Sequence, residues 1–165
     1  MNDEAKFSKV CAVSFERVLP GPIEDVWDWL VNIERLPGWY GNGVLEARVG
    51  GAVNLMDGHV RGVVTQIVPN QRITYTWNVF MPGQESSDYP ESYLTIEVKP
   101  FIDEVLLTLN HLPVLDRFEK QNAMGWHTFL DMLAAGLRGE EVPSRKSCME
   151  RNARLYGIDL ANLVK

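Results

Sequence analysis

Cysteine and histidine are both scarce in this chain. Its 165 residues include two cysteines, Cys11 and Cys148, and three histidines, His59, His111 and His127. The cysteines stand far apart, in no metal-binding or redox spacing, and read as two free thiols of a reducing compartment. The histidines are scattered between a strand start, an inward strand face and a solvent-facing helix position, so no metal and no cofactor are expected. Basic residues are outnumbered, with 16 Lys and Arg against 22 Asp and Glu and a formal charge of −6. An acidic average surface repels phosphate backbones and anionic head groups, which excludes nucleic acid and membrane surfaces as expected partners. No apolar run reaches the length of a membrane span. The opening "MNDEAKFSKV" lacks the apolar core of a signal peptide, and a cytoplasmic location is expected. No glycine-rich phosphate loop links a strand to a helix, and there is no Gly-x-Ser-x-Gly elbow.

What is present is globular. Hydrophobic residues make up 45% and charged residues 23% of the chain, enough for one domain with its own core. Cys11, Val13, Phe15 and Leu19 alternate with Ser14 and Glu16, the period of a half-buried strand. "PGP" at residues 20–22 ends it, and Pro22 can open a short helix bearing Ile23, Val26, Trp27 and Leu30 at helical spacing. "LPGWYGNG" breaks that helix, with a second brief helix or turn expected around Glu34 to Trp39. From Gly43 onward the period of two returns. Strands are expected around Leu45, Val53 and His59–Val68, then along Ile73–Trp77, Leu94–Val98 and Val105–His111. Asp57-Gly58 is the signature of a two-residue hairpin turn. Glu16, Glu46 and Glu97 fall on the polar side of their strands, a solvated face rather than an acid–base pair.

"GWHTFLDMLAAGL", from Gly125 to Leu137, lies on an amphipathic helix predicted over Asn122 to Arg138. At about 100° per residue Trp126, Phe129, Leu130, Leu133 and Leu137 form one face. Lys120, His127, Asp131 and Arg138 form the other, with Thr128 beside them. His127 is thereby expected in solvent, unsuited to act as a catalytic base. Gly125 and Gly136 fall on the buried half. A helix-interior glycine is less stable than alanine by roughly 0.5–1 kcal/mol, so it implies either close approach to a neighbour or space left free.

An antiparallel meander that curves around one long helix leaves a gap where its edges splay away, a natural apolar cavity. The ordered landmarks "RVLPGPIEDVWDWL", "LPGWYG", Gly50-Gly51, "RGVVTQIVPNQRITYTW", "LTLNHL" and "GWHTFLDMLAAGL" resemble the START-like, or SRPBCC, superfamily. The similarity is to the branch named after the activator of heat-shock-protein-90 ATPase. The resemblance implies an α+β, Bet v 1-like helix-grip fold: a seven-stranded curved antiparallel sheet around a long C-terminal helix, with two short helices after the first strand. The expected division is a helix-grip domain over 11–139 and a helical C-terminal extension over 140–165, its helix near Cys148–Tyr156.

The expected function is binding of a hydrophobic, aromatic or lipid-like small molecule between sheet and helix. Tyr75, Trp77, His111, Trp126 and Phe129 are the candidate lining, and Trp39 and Tyr40 the candidate gate. The aromatics serve equally as plain core. His111 shares a strand face with Val105, Leu107 and Leu109, where a histidine needs partners for both ring nitrogens. The alternatives are a cyclase, dehydratase or hydrolase using His111 as acid or base, or a chaperone-interacting module suggested by the resemblance. A homodimer through Met149, Leu155 and Ile158 is compatible with the sequence.

Overall fold

The computed structural model describes residues 3–164. The alternating segments become seven strands: β1 (Val10–Pro20), β2 (Gly43–Leu45), β3 (Ala52–Leu55), β4 (Val60–Val68), β5 (Arg72–Val79), β6 (Ser92–Phe101) and β7 (Glu104–Leu115). They form one antiparallel sheet in the order β1-β7-β6-β5-β4-β3-β2. Strands β2 to β7 run as a meander, and β1 returns beside β7, setting Phe15 opposite Leu109 and Leu19 opposite Val105. Register shifts at Cys11/Val13 and Val64/Gln66 bend their strands, as bulges do, and help the sheet curve. Leu94, Ile96 and Val98 of β6 and Val105, Leu107, Leu109 and His111 of β7 are buried on the inner face.

The Asp57-Gly58 signal locates the β3–β4 turn but understates its width. Leu55 pairs with Val60, which leaves four residues in the loop. Met56, Asp57 and Gly58 all adopt positive φ, at 52°, 55° and 86°. The His59 N–H closes the loop onto the Met56 carbonyl at 3.2 Å.

Helix α1 (Ile23–Val31) follows directly on Pro22, carries Glu24 and Asp25 in its first turn, and buries Val26, Trp27 and Leu30. The second short helix is a single 3-10 turn, Leu36–Gly38. Helix α2 (Glu119–Leu137) begins three residues before the expected start and lies against the inner face of the sheet. Helix α3 (Arg145–Tyr156) is capped by Ser144, whose side chain accepts the Ser147 N–H at 3.1 Å. It ends at Gly157 in the left-handed region.

Helix α3 overturns one expectation. The middle of the polar face of α2 is not open to solvent, because α3 and Arg17 of β1 cover it, while Lys120 and Arg138 at its two ends remain exposed. Thr128 is buried and accepts a hydrogen bond from Asn152 Nδ2 at 3.2 Å. Asp131 binds Arg17 at 2.9 Å and Arg151 at 2.7 Å. His127 lies half-buried against Tyr156, its Nδ1 2.9 Å from the phenol oxygen. A wheel drawn for one helix cannot register a second helix docking on its polar side.

Candidate functional site

The interior between α2 and the sheet has two zones. One is a closed block of aromatic rings. Trp39, in the segment after α1, stacks on Tyr40 with centroids 3.7 Å apart, and Tyr40 meets Phe129 of α2 edge-on at 5.3 Å. The Trp39 indole N–H donates to the Trp29 carbonyl at 2.8 Å. The Tyr40 and Tyr75 hydroxyls are 2.7 Å apart and buried, a pairing that satisfies both without water. Burial raises both phenol pKa values, Tyr40's especially, so both stay protonated. Arg145 of α3 seals this block: its guanidinium lies 5.0 Å from the Phe129 ring centroid and donates to the Tyr40 carbonyl at 2.7 Å.

The second zone is open. A cavity of about 1010 Å³ lies beyond Trp77 and His111. It is bounded by the ends of β5, β6 and β7, the loop before β6, the start of α2 and the tail segment 160–164. Tyr89 of the loop meets Phe118 edge-on at 5.4 Å, and both border the cavity. Gln121 clasps the tail: its Oε1 accepts the Val164 N–H at 2.6 Å, and its Nε2 donates to the Val164 carbonyl at 3.2 Å. None of the described residues bordering the cavity is Asp, Glu, Lys or Arg.

His111 stands at the partition between the zones, 2% exposed. The Trp126 indole can only donate, and it points its N–H at His111 Nδ1 from 3.0 Å. Nδ1 is therefore the unprotonated nitrogen and Nε2 carries the hydrogen. Nε2–H donates to Ser92 Oγ at 2.8 Å, and Ser92 Oγ–H donates on to the Trp77 carbonyl at 2.9 Å. Asn122 Nδ2 also faces Nδ1, at 3.1 Å, while Asn122 Oδ1 is buried without a partner. Burial lowers the His111 pKa from 6.5 to about 4, so the ring is neutral near pH 7. Both nitrogens are occupied within the protein, and the ring's direct effect is to hold Ser92, Trp126 and Asn122 in place.

Of the seven residues singled out from sequence, Trp77 and His111 border the cavity. Tyr75, Trp126 and Phe129 lie behind them in the aromatic block. Trp39 and Tyr40, expected at the mouth, are fully enclosed at 0% exposure. They sit inside because the 3-10 turn at Leu36–Gly38 folds the segment inward, where the Tyr40 N–H bonds the Leu36 carbonyl at 2.8 Å. Ser92, Asn122 and Gln121 were not singled out. Ser92 has the parity of Leu94 and Ile96, and Asn122 lies one helical turn before Trp126, so pattern alone could have nominated both. Nothing periodic marks the tail.

Both cysteines are free thiols; Cys148 is buried and Cys11 half-buried, and burial raises the pKa of each. Among the described residues, no helix is long and apolar enough to cross a membrane, and no group of three or more His, Cys, Asp or Glu could hold a metal ion.

Comparison with known proteins follows the same architecture. CalU16 from Micromonospora echinospora superposes with a TM-score of 0.72 at 19% identity, covering 90% of this chain and 87% of its own. The solution structure of the protein encoded by gene BPP1335 from Bordetella parapertussis gives 0.71 at 22% identity, covering 96% and 93%. The Aha1 dimer from Colwellia psychrerythraea gives 0.61 at 17% identity, covering 77% and 96%. These likenesses establish the helix-grip fold. No curated protein sequence matches the chain significantly. The family model described as Activator of Hsp90 ATPase homolog 1-like protein matches residues 20–138, well over half of the chain, and the protein belongs to that family.

Proposed function

We propose that the protein binds a hydrophobic small molecule in the cavity beyond Trp77 and His111. The observation that carries this reading is the cavity itself. Its volume of about 1010 Å³ sits at the upper end of the range of roughly 300–1,000 Å³ usual for small-molecule sites. Its wall combines Trp77, Val79, Val114 and Phe118 with a few converging polar groups, the composition such sites use. Membership of a helix-grip family supports the same reading, because in this fold the space between sheet and helix is available to a ligand.

The bonding of His111 speaks against its use as an acid or base. A general base needs a lone pair within reach of the substrate proton. Here the lone pair on Nδ1 receives the Trp126 indole and the Nε2 hydrogen is given to Ser92. Its role is to position its neighbours.

Titration with the neutral fluorophore 1-aminoanthracene tests the reading. Binding should brighten the probe and quench tryptophan emission through energy transfer. Val79→Trp, which narrows the cavity from β5, should weaken binding at least tenfold while circular dichroism stays unchanged. Failure of this probe and of a steroid, fatty-alcohol and aromatic polyketide panel to bind, or binding indifferent to Val79→Trp, would overturn the reading.

A further inference from the structure

Asn122 offers a buried acceptor with nothing to accept. Its Oδ1 has neither a hydrogen-bond partner nor contact with solvent, and a carbonyl left in that state is destabilising by roughly 1–3 kcal/mol. The surrounding polar atoms are already engaged. Ser92 Oγ takes the His111 hydrogen and gives its own to the Trp77 carbonyl. Turning the amide over does not resolve the problem, because Oδ1 would then face His111 Nδ1, itself an acceptor from Trp126. The orphan belongs to the arrangement of these groups.

Asn122 is also the one member of the cluster that is free to turn. The Trp126 indole alone satisfies His111 Nδ1, and the terminal torsion of an asparagine is soft. Rotation about that torsion can aim Oδ1 at the cavity its residue borders; His111 Nδ1 stays paired with Trp126, and Asn122 Nδ2 gives up its share of that acceptor in exchange. No described residue on the cavity wall carries a formal charge. A carboxylate or ammonium group brought to this end would lose its hydration with no counter-ion among the described wall residues, a penalty of several kcal/mol.

We propose that the cavity selects uncharged ligands bearing a hydroxyl group at their inner end, and that Asn122 Oδ1 accepts the hydrogen of that hydroxyl. The inference rests on the binding reading above and specifies its ligand class: an apolar body with a phenol or alcohol donor. Asn122 is the specificity-determining residue; His111 and Trp126 position it.

A matched naphthalene series separates this proposal from the reading on which it rests. 2-Naphthol, 2-methoxynaphthalene and 2-naphthoate share one apolar body and differ in a donor, a capped oxygen and a charge. Measured by calorimetry at pH 7, 2-naphthol should bind roughly five- to tenfold more tightly than 2-methoxynaphthalene, the ratio expected of one net hydrogen bond. 2-Naphthoate should bind most weakly. Asn122→Leu should abolish the preference, bringing the affinities for 2-naphthol and 2-methoxynaphthalene to within about twofold of each other. Equal binding of the two neutral compounds by the unmodified protein overturns the proposal and leaves the cavity reading standing, as does a preference that survives Asn122→Leu or tightest binding by the naphthoate. Absence of binding by all three, together with 1-aminoanthracene, removes both. The comparison on the unmodified protein decides the matter even if Asn122→Leu does not fold.

Discussion

Gly125 and Gly136 lie on the same half of the same helix, and the structure assigns them opposite roles. A Cβ built at Gly136 would lie 2.6 Å from Trp29 Cζ3 and 3.0 Å from Cζ2, whereas one built at Gly125 meets nothing within 4 Å. The Trp29 ring has little freedom to withdraw. A Cβ at Gly38 would also lie 2.9 Å from it, and the Arg35 guanidinium sits 5.3 Å from its centroid. Alanine in place of either glycine gains the same helix propensity, roughly 0.5–1 kcal/mol. That term cancels in the comparison, so the difference between the variants isolates the clash, and overpacking of this kind costs about 1–3 kcal/mol. Gly125→Ala should therefore stabilise by up to about 1 kcal/mol, and Gly136→Ala should destabilise by about 1 kcal/mol once the helix gain is subtracted. For a chain of this size each kcal/mol is worth about 2–4 °C in Tm. Urea unfolding followed by circular dichroism measures both, and Trp29→Leu in the Gly136→Ala background should recover most of the loss. If both alanine variants stabilise equally, α2 does not press on Trp29 and the close-approach account of Gly136 is wrong.

Three further outcomes are expected. His111 has a folded pKa depressed from 6.5 to about 4, so the unfolded chain takes up its proton first as pH falls. Its contribution is complete above about pH 6.5 and lost between there and pH 4, on the order of 3 kcal/mol; an NMR titration of the ring with a midpoint near 6.5 would refute this. Tyr40→Phe should destabilise by roughly 1–3 kcal/mol by leaving the Tyr75 hydroxyl buried and unpaired. The Tyr40→Phe/Tyr75→Phe double variant should lose less than the sum of the singles, and strict additivity in urea unfolding would dismiss the pairing. Gln121→Ala should release the tail, seen as at least tenfold faster hydrogen exchange of the Val164 amide with little change in Tm; unaltered exchange would show that the Gln121 clasp does not hold the tail.

The elements that sequence made legible are those whose periodicity is read one segment at a time. β6 and β7 alternate cleanly, and Leu94, Ile96, Leu107 and Leu109 are buried as that alternation requires. The α2 apolar face behaves likewise. What escaped depends on one segment meeting another. His127 reads as solvent-facing until α3 docks, and Trp39 reads as a gate until the Leu36–Gly38 turn carries it inward. The four-residue β3–β4 loop reads as two residues because Met56 adopts a left-handed conformation that its side chain does not advertise. His111 was legible as a residue needing partners, but Trp126, Ser92 and Asn122 become those partners only when β6, β7 and α2 converge.

The position of the cavity bears on what relatives can teach about its contents. Trp77, Ser92, His111 and Asn122 lie within the segment the family model matches, residues 20–138, while the tail wall at 160–164 lies outside it. The polar end of the site is thus built on residues the family model matches and the opposing wall on residues beyond it. Arg145 also lies beyond residue 138, and it braces the aromatic block from behind through Tyr40 and Phe129. A segment that both props the closed zone and borders the open one shapes the site without touching the His111 cluster. The hydrogen-bonding preference should accordingly follow Asn122, whereas the size and outline of the accepted molecule should follow Leu160, Leu163 and Val164. Exchanging these three for smaller residues should therefore broaden the range of ligand sizes admitted while leaving the 2-naphthol to 2-methoxynaphthalene ratio unchanged.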